Sequence, residues 1–588
     1  MPDRAGWSLV TTLLIVLAGA AALRTAWLTA DPPTQPAIGI IWHDEGAWVH
    51  NARNRALWGT WRTDQWNPVF VTPVFTALEY GAFRAFGVGT WQARTVPVMS
   101  GLVAVAFLYA GLAALAGHRA ALIGGALLAS NYVFVMWNRA ALIESSMTAF
   151  IVGSWAAYAI AERRPVAGLL AGIAVVLAWF TKAAAAFFLA ALVFDAMTTI
   201  LVGWSARARR LTGISVPAPA ALRGAWWTLG GIAAGGAVML AVFVLPYWSE
   251  YQFYNWQMSV TRKPAYTLRA LVDRASWLPI VHDFFTRMWL VTSVAALAVV
   301  TIVLKWREAR AAERLLVLWV LLGLTELVVH DAGNERRYLM FIPAFIALAA
   351  LVLGRTGSVG PRSADAGAFS RWIAIPILLV LAYIVVGSLL RLAHLGEIGN
   401  AVRFSAALAA VLGLLIVWRW RAVCDWLSVQ SITGRAALAL TAIALIGDLG
   451  QYGQWAMTRS YKNHQASIAL GGVLPTGTLV HGKLANGLSL ENRIQPIFVG
   501  RGFGNYEDRA TRDDVRYVLT YISPSLGYES QRQNPVIKEV LDAYPDRATI
   551  MTFDVAETAT GQDKAALIDK FGAASTRVNG QTTGREED

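Results

Sequence analysis

Long apolar runs recur about thirteen times along this chain, and that repetition constrains its fold more than any other feature. Runs of roughly 17 to 23 mostly apolar residues, enough to cross about 30 Å of hydrocarbon, begin near Trp7, Ala93, Ala120, Met147, Val166, Ala183, Trp226, Trp289, Leu315, Leu339, Trp372, Ser405 and Ala436. Of the 588 residues, 56% are hydrophobic, 15% are charged and 25 are tryptophan, a balance that excludes an ordinary soluble globular protein. The chain reads as an all-α polytopic membrane protein in contact with the lipid bilayer along most of its length. Trp7 to Leu28 is read as an uncleaved anchor because its apolar length suffices for a span, although the AGAAA stretch imitates a signal-peptide cleavage site.

A net charge of +13 raises the question of nucleic acid, but the basic residues are scattered between spans. RARR at 207–210, KWREAR at 305–310 and RWR at 419–421 each follow an apolar run and hold few acids, the pattern of inner loops under the positive-inside rule. A nucleic-acid partner is therefore not expected. The only cysteine, Cys424, allows no intramolecular disulfide.

With the N-terminus inside, the outer segments are 29–92, 138–146, 181–182, 248–288, 330–338, 391–404 and everything after about residue 450. This parity puts His43-Asp44-Glu45, Arg139 with Glu144, Lys182 and Arg336-Arg337-Tyr338 on one face. Three regions follow: a membrane domain over 1–450, a small outer soluble α/β domain over 451–575, and a disordered tail over 576–588. In the soluble region, GRGFGNY at 500–506 lacks the strand-turn-helix context of a nucleotide fingerprint and reads as a glycine-rich turn.

The outer loops carry the chemistry. Adjacent acids at Asp44 and Glu45, where a span meets water, are costly unless paired or used. The alternative for Asp44 is a helix cap or a partner of Arg53 or Arg55. The first loop, 29–92, is too long for a simple connector, and its tryptophans suit short amphipathic helices at the interface that wall a cavity. Arg139 and Glu144, five apart across a short loop, can face that cavity or simply pair with each other. Lys182 has almost no loop of its own, so it either snorkels or points at an anion. Arg337 offers a guanidinium fork of the kind that grips phosphate; ordinary Arg/Tyr anchoring is the plainer reading for Arg337 and Tyr338. Together these acids and cations suit an anionic, membrane-borne substrate. His43, Asp44, Glu45 and Glu144 are candidate ligands for a divalent metal ion, although no close ligand spacing demands one.

The motif order resembles a known family: a span, a DE loop, R-x-x-x-x-E in the second outer loop, TK in the third, RRYLMFIPA late, and a soluble outer domain at the end. It is similar to the membrane glycosyltransferases of the GT-C fold, in particular the protein O-mannosyltransferase and aminoarabinose transferase group of bacterial inner membranes. The resemblance implies that Asp44 is the catalytic base and that Glu45 shapes the site beside it. It likewise implies support from Arg139 and Glu144, and donor-phosphate binding by Lys182, Arg337, Tyr338 and Arg94. The implied partners are a polyprenyl-phosphate-linked sugar donor and a hydroxyl acceptor, with chemistry on the periplasmic face. One departure is visible. Where aminoarabinose transferases carry Glu-Lys-Pro-Pro in the first loop, this chain reads QWNPVFVTP, with no lysine. A transporter of lipid-linked sugars would share the bundle, but it would be expected to place its charges near the midplane.

Overall fold

The computed structural model describes all residues except 1–3, 34–39, 259–266, 286, 331–334, 355–367, 393–400, 421, 423–433, 503, 523–534, 559–560 and 573–588. Cys424 and the 576–588 tail lie outside the described residues.

The chain opens with α1 (Arg4–Thr25), then three helices of the first loop, α2 (Asp44–Trp48), α3 (His50–Trp58) and α4 (Pro73–Phe86). The bundle continues with α5 (Thr90–Ala116), α6 (His118–Ser130), α7 (Tyr132–Trp137), α8 (Ile143–Ala161), α9 (Ala167–Thr181) and α10 (Ala186–Trp204). Four described helical stretches are long and apolar enough to cross a membrane: Thr90–Ala116, Ala183–Trp204, Pro219–Val244 and Gly434–Val473. Shorter apolar helices include Leu9–Thr25, Ala167–Thr181, Trp289–Leu304, Ile342–Gly354, Trp372–Ser388 and Ala406–Trp418. The apolar run from Ala120 is broken between α6 and α7 at Asn131, whose side chain accepts a hydrogen bond from the Phe134 amide and so starts a new helix.

Small residues let helices approach closely where lipid supplies no hydrophobic drive between them. A Cβ on Gly172 of α9 would lie 2.2 Å from the Thr228 carbonyl oxygen, and one on Gly231 would lie 2.2 Å from that of Leu169. This fixes α9 against the Pro219–Met239 helix. Charge buried within the bundle is matched locally: Arg314 Nε donates to Asp195 at 2.9 Å, and the Tyr158 hydroxyl donates to the same carboxylate at 2.8 Å.

The C-terminal unit is a five-stranded mixed sheet in the order β2-β1-β3-β5-β4. Its strands are β1 (Leu479–His481), β2 (Gln495–Ile497), β3 (Tyr517–Ile522), β4 (Ala548–Asp554) and β5 (Lys564–Asp569). β1 runs parallel to β2 and β3, whereas β3, β5 and β4 are antiparallel. The expected small α/β unit is therefore present. Among the described residues of 500–506, Gly502, Gly504 and Asn505 have positive φ.

Within the first loop, α2 and Trp42 ahead of it are buried rather than laid on an interface. Every residue of α2 is buried, and Trp42 just ahead of it joins the apolar core of the C-terminal unit with Leu470, Leu484 and Leu519. This part of the loop is a buried platform between the bundle and that unit, because the unit covers the surface that α2 would otherwise have shown to water or lipid. Polar contacts fix the same joint. Arg53 donates to the carbonyls of Ser489, Asn492 and Ile494. The Asp31 carboxylate accepts from the Lys462 and Asn463 amides, capping the Lys462–Val473 helix from outside the unit.

Candidate active site

The first outer loop sets two neighbouring acids in different surroundings. α2 turns the side chain of Asp44 toward the C-terminal unit and that of Glu45 into the bundle. Glu45 is gripped by Arg94 of α5 through Nε at 2.9 Å and Nη2 at 2.7 Å, and also accepts the Ala141 amide at 2.7 Å. Arg94 uses Nη1 on the carbonyls of Leu28 and Ala30, each at 2.7 Å. The pair thus ties together four segments: α2, α5, residues 28–30 and Ala141.

Asp44 instead meets two cations from distant parts of the chain. Arg336 Nη2 stands 2.6 Å from Oδ2, and Lys483 Nζ stands 2.6 Å from Oδ1. Arg336 comes from the 3-10 turn Glu335–Met340, and Lys483 from the short helix Lys483–Gly487 that follows β1. That helix reaches Asp44 because both partners are glycine at the crossing. A Cβ on Gly46 would sit 1.7 Å from the Asn486 carbonyl oxygen, and one on Gly487 would sit 2.7 Å from His43 Cα. Gly482 at φ +116° makes the turn out of β1. Burial by itself would raise the Asp44 carboxyl, but Arg336 and then Lys483 outweigh it and hold it well below the usual carboxylate range. His43 faces the same site, with Nδ1 3.1 Å from the Tyr521 hydroxyl. Burial, reinforced by Lys483, brings its pKa down to about 3, so its imidazole is neutral.

The remaining candidates divide between this site and the scaffold. Lys182, at the end of α9, donates to Glu144 of α8 at 2.6 Å. Arg337 donates to Glu326 at 2.7 Å. Lys182, Arg336 and Arg337 are close enough for their charges to act on one another, which joins these pairs to the Asp44 cluster. Tyr338 stacks on Phe284 at 4.9 Å between ring centroids. Arg139 does not pair with Glu144. Its guanidinium donates to the carbonyls of Leu23, Arg24 and Trp27, closing the C-terminal end of α1, and lies over the Trp455 ring. Nor is Asp44 paired with Arg53, which is engaged with the C-terminal unit.

Of the metal candidates, His43 and Asp44 stand near each other, Nε2 to Oδ1 at 3.8 Å. Asp44, Glu45 and Glu144 each face a different cation, and among the described residues no group of three or more His, Cys, Asp or Glu side chains is arranged to hold a metal ion.

Four neighbours of these residues were not singled out from the sequence: Lys483, Tyr521, Glu326 and Glu79. Lys483 and Tyr521 belong to a region whose only legible signal was its position on the same face. Glu79, on the buried side of α4, has neither carboxylate oxygen hydrogen-bonded, and burial followed by the Glu45 charge raises its pKa well above the ordinary value.

Comparison with known proteins meets this geometry at the level of class. Residues 70–216 match the family described as dolichyl-phosphate-mannose-protein mannosyltransferase. The matched segment holds Arg94, Arg139, Glu144 and Lys182. Solved structures similar to the chain include ArnT from Cupriavidus metallidurans bound to undecaprenyl phosphate, at 16% identity and TM-score 0.45, covering 96% of this chain and 98% of that one. The same protein in the apo state matches at 15% identity and TM-score 0.48 over the same shares, 96% and 98%. The oligosaccharyltransferase AglB from Archaeoglobus fulgidus, in complex with an inhibitory peptide and a dolichol-phosphate, matches at 13% identity and TM-score 0.45, covering 95% of this chain and 74% of that one. No curated protein matches the sequence.

Proposed function

We propose that this protein transfers a sugar from a polyprenyl-phosphate-linked donor to a hydroxyl acceptor on the outer face of a bacterial inner membrane, with inversion at the anomeric carbon. The observation that carries the reading is the buried Asp44 carboxylate set between Arg336 and Lys483, with the Lys182–Glu144 and Arg337–Glu326 pairs beside it. An acceptor hydroxyl gives its proton to Asp44 as its oxygen bonds to the anomeric carbon. The bond from that carbon to the phosphate oxygen breaks, and the electron pair leaves on the polyprenyl phosphate. Negative charge growing on the leaving phosphate is met by cations already in place, the role assigned to Lys182 and Arg337. Arg94 and Glu45 hold the floor of the site, Arg139 closes α1 behind it, and Tyr338 packs against its wall.

Asp44→Asn tests this reading. It keeps shape and hydrogen bonding but cannot accept a proton, so transfer from a polyprenyl-phosphate sugar donor in detergent, read by product mass, should fall by about 10² or more. Donor binding should survive. Full activity in this variant would exclude Asp44 as the base.

A further inference from the structure

We infer that the end of the bundle opposite the Asp44 site carries a docking surface for the headgroups of anionic phospholipids, built on the turn between α10 and the Pro219–Met239 helix. α10 starts at Ala186, just after Lys182, and ends at Trp204, about 28 Å further along its axis. The turn and the Lys182 end therefore lie at opposite ends of one membrane-length helix. Beyond Trp204 the chain forms α11 (Ala206–Thr212), which buries no residue, and turns back through Gly213 at φ +67°.

Guanidinium groups gather on this turn without acids. Between residues 196 and 249 the sequence holds Arg207, Arg209, Arg210 and Arg223, and no Asp or Glu. Arg307 joins them from the turn 305–310: its carbonyl accepts the Ser215 amide at 3.0 Å, and its side chain lies over Gly213, where a Cβ would stand 2.7 Å from Nε. Arg207, Arg210, Arg223 and Arg307 are exposed, and among the described residues none of their side chains is hydrogen-bonded or ion-paired. Arg209 donates to the Val202 carbonyl. Glu308, the acid next to Arg307, is exposed and pairs with none of the five.

Arginines that lock helices at this end of the bundle are matched within the chain. Arg310 is held by Glu162 at 2.6 Å, and Arg314 by Asp195 at 2.9 Å. The arginines of the turn have no such partner, so the anion they suit comes from outside the chain. Apolar side chains say where it comes from. Trp204 is 72% exposed and Leu211 78%, and the Trp204 ring lies 5.9 Å from that of Trp226, itself one turn along from Arg223 and also exposed. Indole rings beside guanidinium forks match the boundary of a lipid leaflet, with the forks on the phosphates and the rings among the glycerol groups and first methylenes. A free anion would use the arginines and leave the tryptophans in water. Each arginine near an anionic leaflet adds attraction of the same sign, so the cluster distinguishes anionic from zwitterionic lipid.

Lipid binding to the full-length protein in detergent micelles, read by native mass spectrometry, tests this without any transfer step. Phosphatidylglycerol should bind at least about tenfold more tightly than phosphatidylcholine of the same chain length. The combined variant Arg207→Gln, Arg210→Gln, Arg223→Gln and Arg307→Gln should lose most of that preference while melting as the wild type does. If this variant melts lower, Arg207→Gln with Arg210→Gln, confined to α11 where no residue is buried, carries the test and should cut the preference several-fold. Inorganic phosphate at millimolar concentration should not displace the bound phosphatidylglycerol. Equal binding of the two lipids by the wild type, or an undiminished preference in the folded variant, would overturn the proposal. Displacement by inorganic phosphate would overturn it as well, and would assign the arginines to a free anion.

Discussion

Arg94 and Glu45 form a two-pronged ion pair, Nε to Oε1 at 2.9 Å and Nη2 to Oε2 at 2.7 Å, buried where α5 passes under α2. One residue earlier, Asp44 is held by cations from the far end of the bundle and from the C-terminal unit. Two adjacent acids thus sit in different surroundings: Glu45 ties the first loop to α5, and Asp44 faces Arg336 and Lys483.

Removing one member of the Glu45 pair leaves a buried charge without its partner. Arg94→Met should destabilise the protein by about 3–5 kcal/mol, seen as a lower melting temperature in detergent and lower yield, with transfer lost in step with folded protein. Wild-type melting combined with weakened donor binding would instead place Arg94 on the phosphate.

Gly46 is the tightest point between the first loop and the C-terminal unit, and Asn486 cannot yield easily because the contact is with its backbone oxygen. Gly46→Ala should push the Lys483 helix away from α2. The expected result is faster proteolysis of the C-terminal unit with the transmembrane bundle still intact. Wild-type proteolysis and activity would show that the joint is looser than the contact implies.

Acid should weaken the fold through His43. Its folded pKa of about 3 lies below the value of about 6.5 expected in the unfolded chain, so the unfolded state takes up a proton the folded state refuses. The stabilisation is complete above about pH 6.5 and is lost as pH falls toward 3, by up to about 1.4 kcal/mol per pH unit. Melting of the wild type should therefore fall more steeply between pH 6 and pH 4 than melting of His43→Gln. Parallel slopes would mean that His43 is protonated in the folded protein.

The first loop and the C-terminal unit should label from the same, outer side. Thr60 and Lys538 are both exposed, so Thr60→Cys and Lys538→Cys, each on a Cys424→Ser background, should react with an impermeant thiol reagent in intact spheroplasts. Reaction only after permeabilisation would invert the topology.

The sequence by itself determined the class. Apolar runs of membrane length must be helical, because hydrocarbon offers backbone groups no other partner. Charged motifs in the loops between them had to collect at the surfaces. The DE, TK and RRY loops were legible for that reason, as was the change of character after residue 450. The resemblance implied different roles for the two loop acids, but which cations each would meet was not legible, since Asp44 and Glu45 are chemically alike and adjacent. Only the tertiary structure separates them, by turning one toward Arg94 and the other toward Arg336 and Lys483. Nor could spacing reveal that Arg139 closes a helix end, or that a lysine from the C-terminal unit reaches the first loop. Such partners are chosen by packing: two glycines bring two backbones into contact, and a long-range contact of that kind leaves no periodic trace in the chain.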